Sequence, residues 1–318
     1  MTLVVPETRN SSLNRTTLEL IAAAQTLGVP IKVVVIGVGV EDLAREISGF
    51  DVAEVIVIHH ALLESYTADG YIAALVEVIE KESPDRIFFA HTYQSRDFAP
   101  RLAAKLNRSI VTDCIGIKTG ERTSFVRPMF QGKLHADVLP LGDNPHLITF
   151  QVGAFRSDKL IRGVADAPVR HVDVIIEPEI IRQSAEAPFL ESRRKVDLSK
   201  AERIVAVGRG IKSQEDIVLV QKLAQALDAE IAASRPICDV GWLPMDRQVG
   251  SSGQTVQPKL YVALGISGAI QHLVGMKGSE TIVAVNKDKD APIFEVADYG
   301  VSGDLFEIIP ALIDELEG

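Results

Sequence analysis

The sequence predicts an α/β protein of two domains, each with a mostly parallel sheet flanked by helices. Three observations predict it. Short continuous apolar runs such as IKVVVIG and DRIFFAH end at glycine or histidine, as buried parallel strands do. Segments with apolar residues at helical spacing lie between those runs. The alternation lapses after residue 160 and restarts at 202, which divides the chain into domains 1–195 and 196–318.

Taken in order, TLVV (2–5) is a short strand and Asn14 to Leu27 a helix. IKVVVIG (31–37) is a buried strand, Val40 to Ile47 a short helix, and AEVIVIH (53–59) the next strand. A longer helix runs from Thr67 to Glu82, with Ile72, Leu75, Val76 and Ile79 at helical spacing. Ser83-Pro84 stops it, because proline cannot extend the hydrogen-bond ladder. DRIFFAH (85–91) is a strand, and a helix follows from Asp97 to Leu106. Between 110 and 160, three strand-like stretches are separated by the turn-forming TGER and LGDNPH, and they predict an antiparallel extension of the first sheet. Residues 161–200 carry charges and prolines. RHVDVII offers one more strand, and the rest reads as a connection.

The second half repeats the pattern. ERIVAVGRG (202–210) is a strand and a glycine turn, Gln214 to Leu227 a helix, and AEIAASR (229–235) a strand. Residues 239–257 form a loop containing Gly241, Gly250 and Gly253, with a helical turn around Met245. Long loops inside compact domains are usually functional. KLYVALG (259–265) and ETIVAVN (280–286) are strands, with a helix opening at Gly268 to Leu273 between them. PIFEVADYG (292–300) carries the last strand. GDLFEIIPALIDELE (303–317) is the closing helix, kinked at Pro310.

Composition narrows the class. The chain has 318 residues, 47% of them hydrophobic and 24% charged, enough apolar material for two cores. A net charge of −10 lacks the basic footprint of a nucleic-acid binder. Cys114 and Cys238 are far apart and suit neither a disulfide framework nor a metal site. No signal peptide or membrane span is visible, so the expected setting is cytoplasmic.

In an open parallel sheet, ligands bind beyond the carboxyl ends of the strands. The second domain places Gly208-Arg209-Gly210 there, then Ser234-Arg235, then Gly265-Ile266-Ser267-Gly268-Ala269, then Asn286, with Asp304 after the last strand. Arginine offers a planar donor fork to phosphate, and glycine lets the backbone approach it. Asn286 and Asp304 suit ribose hydroxyls or an adenine edge. Each residue taken alone also has a plain structural reading. GRG is a turn, Gly265 to Ala269 a turn that opens a helix, Asn286 and Asp304 caps, His272 a satisfied buried histidine, and Arg235 a solvated charge. Their joint placement at successive strand ends is what points to a cofactor. GRGIKS does not match the dinucleotide fingerprint GxGxxG, and no catalytic triad, zinc motif or phosphate loop is present. A carrier of bound cofactor fits these facts better than the alternative, a flavin- or nicotinamide-dependent oxidoreductase with its own substrate.

The block LYVALGISGAIQHLVGMKGSETIVAVNKDKDAPIFEVADYG (260–300) resembles the signature block of the electron transfer flavoprotein alpha (large) subunit, the FixB type. VGRGIKSQED (207–216), ASRP (233–236), DVGWLPMDRQVG (239–250) and, more weakly, FVRPMFQGK (125–133) extend the resemblance over essentially the whole chain. It implies a doubly wound C-terminal FAD-binding fold, an N-terminal domain forming part of a heterodimer base, and a smaller beta subunit holding AMP or a second FAD. It implies electron donors such as acyl-CoA dehydrogenases, or NADH through the beta subunit in bifurcating members. The implied acceptor is a quinone oxidoreductase or another oxidoreductase. Such a subunit carries electrons and turns over no substrate of its own.

The resemblance also implies site roles. Arg209 lies near the pyrophosphate and adenosine half, and Ser234 and Arg235 come next, with Arg235 beside the flavin ring. Gln248, Val249, Gly250, Ser251 and Ser252 form the loop beside the flavin. Gly265, Ile266, Ser267, Gly268 and Ala269 wrap the phosphates and ribityl chain. Gln271 and His272 approach the flavin, and Asn286 and Asp304 hold the adenosine end. Where the family commonly has VGQTGK, this chain has VGSSGQ at 249–254. Ser252 keeps a hydroxyl. Gln254 in place of lysine is expected to remove a positive charge beside the flavin, which would weaken stabilisation of its reduced anion.

Overall fold

A computed structural model of the chain describes residues 1–8, 13–130, 132–185, 198 and 201–317. The chain divides into two compact units, Met1–Pro188 and Phe189–Gly318. The boundary expected at 195, and most of the connection around it, lie outside the described residues.

In the first unit, apolar runs become strands β1 (Thr2–Val4), β2 (Ile31–Ile36), β3 (Glu54–Ile58) and β4 (Arg86–Ala90). Then follow β5 (Ile110–Cys114), β6 (Gly116–Lys118), β7 (Ser124–Met129), β8 (Leu134–Val138), β9 (His146–Phe150) and β10 (Val169–Val172). Seven of them form one sheet in the order β10-β3-β2-β1-β4-β9-β5, parallel throughout. Helices α1 (Arg15–Gln25), α2 (Glu41–Ser48), α3 (Ala68–Glu82) and α4 (Tyr93–Leu106) cover its faces. Three start on side-chain caps that satisfy free backbone N–H groups. Asn14 accepts from the Thr17 N–H at 2.9 Å, Thr67 from Gly70 at 3.2 Å, and Thr92 from Ser95 at 3.2 Å. The last of these sets the start of α4 at Tyr93, four residues before the expected Asp97.

The expected antiparallel extension is corrected. Strands β5 and β9 join the main sheet in parallel, while β6, β7 and β8 form a separate antiparallel sheet. The switch occurs at an irregularity in β5, where register with β9 shifts between Val111 and Cys114 and Asp113 takes φ 64°. RHVDVII does supply an edge strand, as expected, through β10 pairing with β3.

The second unit holds β11 (Arg203–Val207), β12 (Glu230–Ala233), β13 (Leu260–Leu264), β14 (Thr281–Asn286) and β15 (Tyr299–Ser302). Its helices are α5 (Ile217–Ala226), the short α6 (Arg235–Asp239) and α7 (Ile270–Leu273), and α8 (Leu305–Glu317). The sheet order is β12-β11-β13-β14-β15, with every pair parallel. Alternate strand residues serve opposite faces. Val205, Val207, Val262 and Leu264 pack with Val220, Leu223, Leu305 and Ile309 of α5 and α8. Ile204, Ala206, Tyr261 and Ala263 pack instead with Val249, Val256, Ile266, Met276 and Ile293.

The last strand is also corrected. PIFEV makes a 3-10 turn at Pro292–Glu295, and the strand begins only at Tyr299. Ile293 is fully buried in the core, whereas Tyr299–Ser302 is an exposed edge strand that hydrophobicity does not mark. Among the described residues, no helix is long and apolar enough to cross a membrane.

Candidate functional site

In numbering local to the second unit, the strand order is 2-1-3-4-5. Chain direction across the sheet therefore reverses between β11 and β13, and the loops leaving those strands part to open a crevice. A cleft of about 780 Å³ lies there, at the carboxyl ends of β11, β12, β13 and β14. That volume falls in the range of roughly 300–1,000 Å³ typical of small-molecule sites.

The cleft floor depends on glycine. The loop after β11 lies against the loop after β13: the Gly208 N–H donates to the Leu264 carbonyl at 2.8 Å, and Gly210 to the Gly265 carbonyl at 3.2 Å. A Cβ on Gly208 would stand 2.4 Å from the Gly265 oxygen, and Gly265 itself has φ 61°. Both loops therefore present bare backbone to the cleft, which a phosphate-bearing ligand needs.

The structure brings most of the predicted residues into this one lining. Arg209, Ser234, Arg235, Gln248, Val249, Gly250, Ser251, Ser252, Gly265, Ile266, Ser267, Ala269, Gln271, His272 and Asn286 all line it. Two predicted residues do not. Gly268 is buried beneath the turn with φ 85°, and a Cβ there would meet the Ile293 nitrogen. Asp304 caps α8: its carboxylate accepts from the Phe306 N–H at 3.0 Å and pairs with Lys287 at 3.6 Å. That hydrogen bond and the flanking Lys212 and Lys287 hold its carboxyl below the usual range. Gly208 and Gly210, expected to let the backbone approach phosphate, line the cleft too, as do Pro236, Asp288, Ala291 and Pro292, for which the sequence suggested no ligand role. The GRG turn was the available signal for the two glycines. Pro292 was hidden by the strand expected over 292–300.

The loop 248–254 is held by its own bonds. Val249 N–H donates to the Ala233 carbonyl at 3.0 Å, Gly250 N–H to Gln254 at 3.1 Å, and Ser251 N–H to Gln271 at 2.7 Å. Gln248 is 1% exposed, and its Nε2 donates to Ser252 Oγ at 2.9 Å, while its Oε1 is buried with no hydrogen-bond partner among the described residues. Gln254 does not line the cleft. It is buried, its Oε1 accepts from the Leu198 N–H at 3.1 Å, and its Nε2 donates to the Asp246 carbonyl. The charge expected to be missing beside the flavin is thus not a cleft feature of this chain, because position 254 turns away to pin the loop.

Positive charge in the cleft comes from Arg209 and Arg235, and Asp288 adds one carboxylate to its lining. Arg235 is 66% exposed in its side chain and pairs with Asp239 at 3.3 Å. His272 is 6% exposed, and its Nε2 lies 3.0 Å from the hydroxyl of the fully buried Tyr261. Burial pushes the imidazole down to about 4, so it is neutral near pH 7. Asn286 is committed to the backbone, since its amide donates to the Ile266 carbonyl at 2.8 Å and its oxygen accepts from the Asp288 N–H. It fixes the loop after β13 while facing the cleft.

Comparison with known proteins agrees with this geometry. Residues 2–177 match the electron transfer flavoprotein domain, and residues 197–277 match the electron transfer flavoprotein FAD-binding domain. The chain belongs to the electron transfer flavoprotein alpha-subunit family. The electron transfer flavoprotein subunit alpha of Thermoanaerobacterium thermosaccharolyticum is 39% identical over 99% of this chain and 97% of its own length. The acryloyl-CoA reductase electron transfer subunit beta of Anaerotignum propionicum is 38% identical over 98% and 94%. The LctC subunit of the NAD(+)- and ferredoxin-dependent lactate dehydrogenase of Acetobacterium woodii is 34% identical over 95% of this chain and 73% of its own length. As an electron transfer flavoprotein subunit, the chain carries a flavin-binding domain at residues 197–277.

Proposed function

We propose that the cleft at the β11/β13 crevice holds FAD and that the chain is the flavin-bearing half of a heterodimeric electron carrier. The observation that carries this reading is the convergence of bare glycine backbone and two arginines on one cleft at the strand ends.

FAD supplies one- and two-electron chemistry when bound, and the chain supplies position and electrostatics. Gly208, Gly210 and Gly265 would admit the pyrophosphate to backbone distance, with Arg209 as its cation. Arg235, exposed at the mouth, would favour negative charge on the reduced ring. Gln248, Ser252 and His272 would hydrogen-bond the ring edge. Asn286 would serve the adenosine end chiefly by fixing the loop after β13, and Asp304 would act there through the α8 cap rather than by contact. On this reading the chain carries electrons and turns over no substrate of its own.

The partner on this reading is a beta subunit that holds AMP or a second FAD, with residues 1–195 forming part of the shared base. Electrons come from a flavin-linked dehydrogenase of the acyl-CoA class, or from NADH through the partner. They pass to a quinone oxidoreductase or a related acceptor, in the cytoplasm. The coenzyme A thioester in the name of the Anaerotignum relative, and the NAD(+) and ferredoxin in that of the Acetobacterium relative, are in line with these classes. Co-expression with candidate beta subunits tests the reading. A heterodimer with FAD bound by this chain supports it. A purified heterodimer without flavin in residues 197–318 overturns it.

A further inference from the structure

The Tyr261–His272 pair lies under the cleft wall, and the flavin reading leaves its proton arrangement open. Tyr261 is fully buried on β13, and its hydroxyl has one hydrogen-bond partner among the described residues, His272 Nε2 at 3.0 Å. His272 lines the cleft, and its Nδ1 is buried with no hydrogen-bond partner of good geometry among the described residues. The ring thus lines the cleft while both of its nitrogens are covered by protein, Nε2 by the Tyr261 hydroxyl.

A phenol carries one proton, and in the core that proton must be donated or left unsatisfied. Nε2 is the acceptor within reach. An imidazole that accepts at Nε2 must carry its proton at Nδ1. The Val249 carbonyl beside the ring favours a proton there too, although it makes no hydrogen bond of good geometry to it. Burial keeps the ring neutral, so the second proton is not added near pH 7.

We propose that Tyr261 is a positioning residue for His272: its hydroxyl donates to Nε2 and fixes the neutral Nδ1–H tautomer of a ring that lines the ligand cleft. The proposal rests on the flavin reading for the identity of that ligand, but not for the tautomer. It gives Tyr261, a core residue by burial, a role in the electronics of the site.

The test uses the full chain, with its beta subunit if they purify together, labelled with ¹⁵N-histidine. Long-range ¹H–¹⁵N correlation distinguishes a pyrrole-like from a pyridine-like nitrogen, and His272→Gln assigns the signal among the seven histidines. The expected wild-type result is Nδ1 pyrrole-like and Nε2 pyridine-like. Tyr261→Phe should deplete that tautomer and raise the FAD dissociation constant about tenfold, the equivalent of roughly one hydrogen bond. A lone loss of thermal stability in Tyr261→Phe, with tautomer and affinity unchanged, would assign Tyr261 to packing and overturn the proposal. An Nε2–H tautomer in the wild type overturns it without recourse to any variant. A wild-type protein that takes up no FAD in an absorbance titration overturns the flavin reading and the ligand half of this proposal together.

Discussion

Replacing Gly208 by alanine tests whether the two facing strand-end loops form the cofactor cradle. The added Cβ would lie 2.4 Å from the Gly265 oxygen and 2.9 Å from both the Gly265 carbonyl carbon and Ile266 Cα. All three are backbone atoms, so no side-chain rotation relieves the clash. An ordinary close C···O contact is ~3.3 Å, so the loop after β13 must retreat by about 0.9 Å. That loop is tied on both sides, to β14 by the Gly265 N–H bond to Val285 and to the β11 turn by the Gly210 N–H bond. Overpacking of this kind costs about 1–3 kcal/mol. If half or more of that cost falls on the bound state, FAD affinity drops by roughly 3- to 100-fold. The assay is recovery of flavin by the flavin-free protein, followed through flavin fluorescence. Gly120→Ala is the control, because its Cβ would meet only the Arg122 carbonyl at 3.9 Å. Unchanged affinity in Gly208→Ala, with Gly120→Ala also unchanged, would refute the placement of the cofactor against these loops.

Three further outcomes follow from named contacts. Arg235→Ala should lower the flavin midpoint potential, by no more than about 30 mV because the side chain is largely exposed and screened; a redox titration showing no shift, or a rise, contradicts a charge role. Gln254→Ala leaves the Leu198 N–H and the Asp246 carbonyl short of a hydrogen bond, and should cost about 1–3 kcal/mol in denaturant unfolding. In the first unit, Arg170 donates to Glu54 at 2.7 and 3.0 Å and to Glu82 at 2.7 Å. The Arg170 hydrogen bond, with Lys32 beside it, takes the Glu54 carboxyl from 4.5 down to about 2, against the effect of burial. A depressed carboxyl pKa stabilises the fold above its unfolded value and loses that stabilisation as pH falls toward 2. Acid unfolding between those limits should therefore be less steep in Arg170→Ala, and an unchanged pH profile by circular dichroism would remove Arg170 as the cause.

Most of the second unit was legible because its strands are buried on both faces and punctuated by glycine. Ile204 to Val207 and Tyr261 to Leu264 are continuous apolar runs, and the turns after them carry the residues that line the cleft. What escaped was decided by tertiary surroundings. Pro292 to Glu295 has strand composition, yet Ile293 is drawn into the core and the segment closes into a 3-10 turn. The actual edge strand, Tyr299–Ser302, is exposed and carries no apolar signature. In the first unit, β5 and β9 are 110 and 146 in their first residues, and nothing local says that they pair in parallel with a separate hairpin sheet between them. Side-chain direction was equally hidden. Gln254 reads as a member of a flavin loop, but the structure turns it onto the Leu198 backbone. Asp304 reads as a ribose ligand, but it caps a helix and stands outside the cleft.

The central claim is that FAD lies in the cleft formed by the loops after β11, β12 and β13 together with residues 248–252. Hydrogen exchange of the full-length protein with and without bound FAD tests it directly. One FAD per chain is expected, with slowed exchange of the backbone amides at 208–210, 234–235, 248–252 and 265–272. Protection confined to residues 1–177, or no flavin-dependent protection in those four segments, would contradict it.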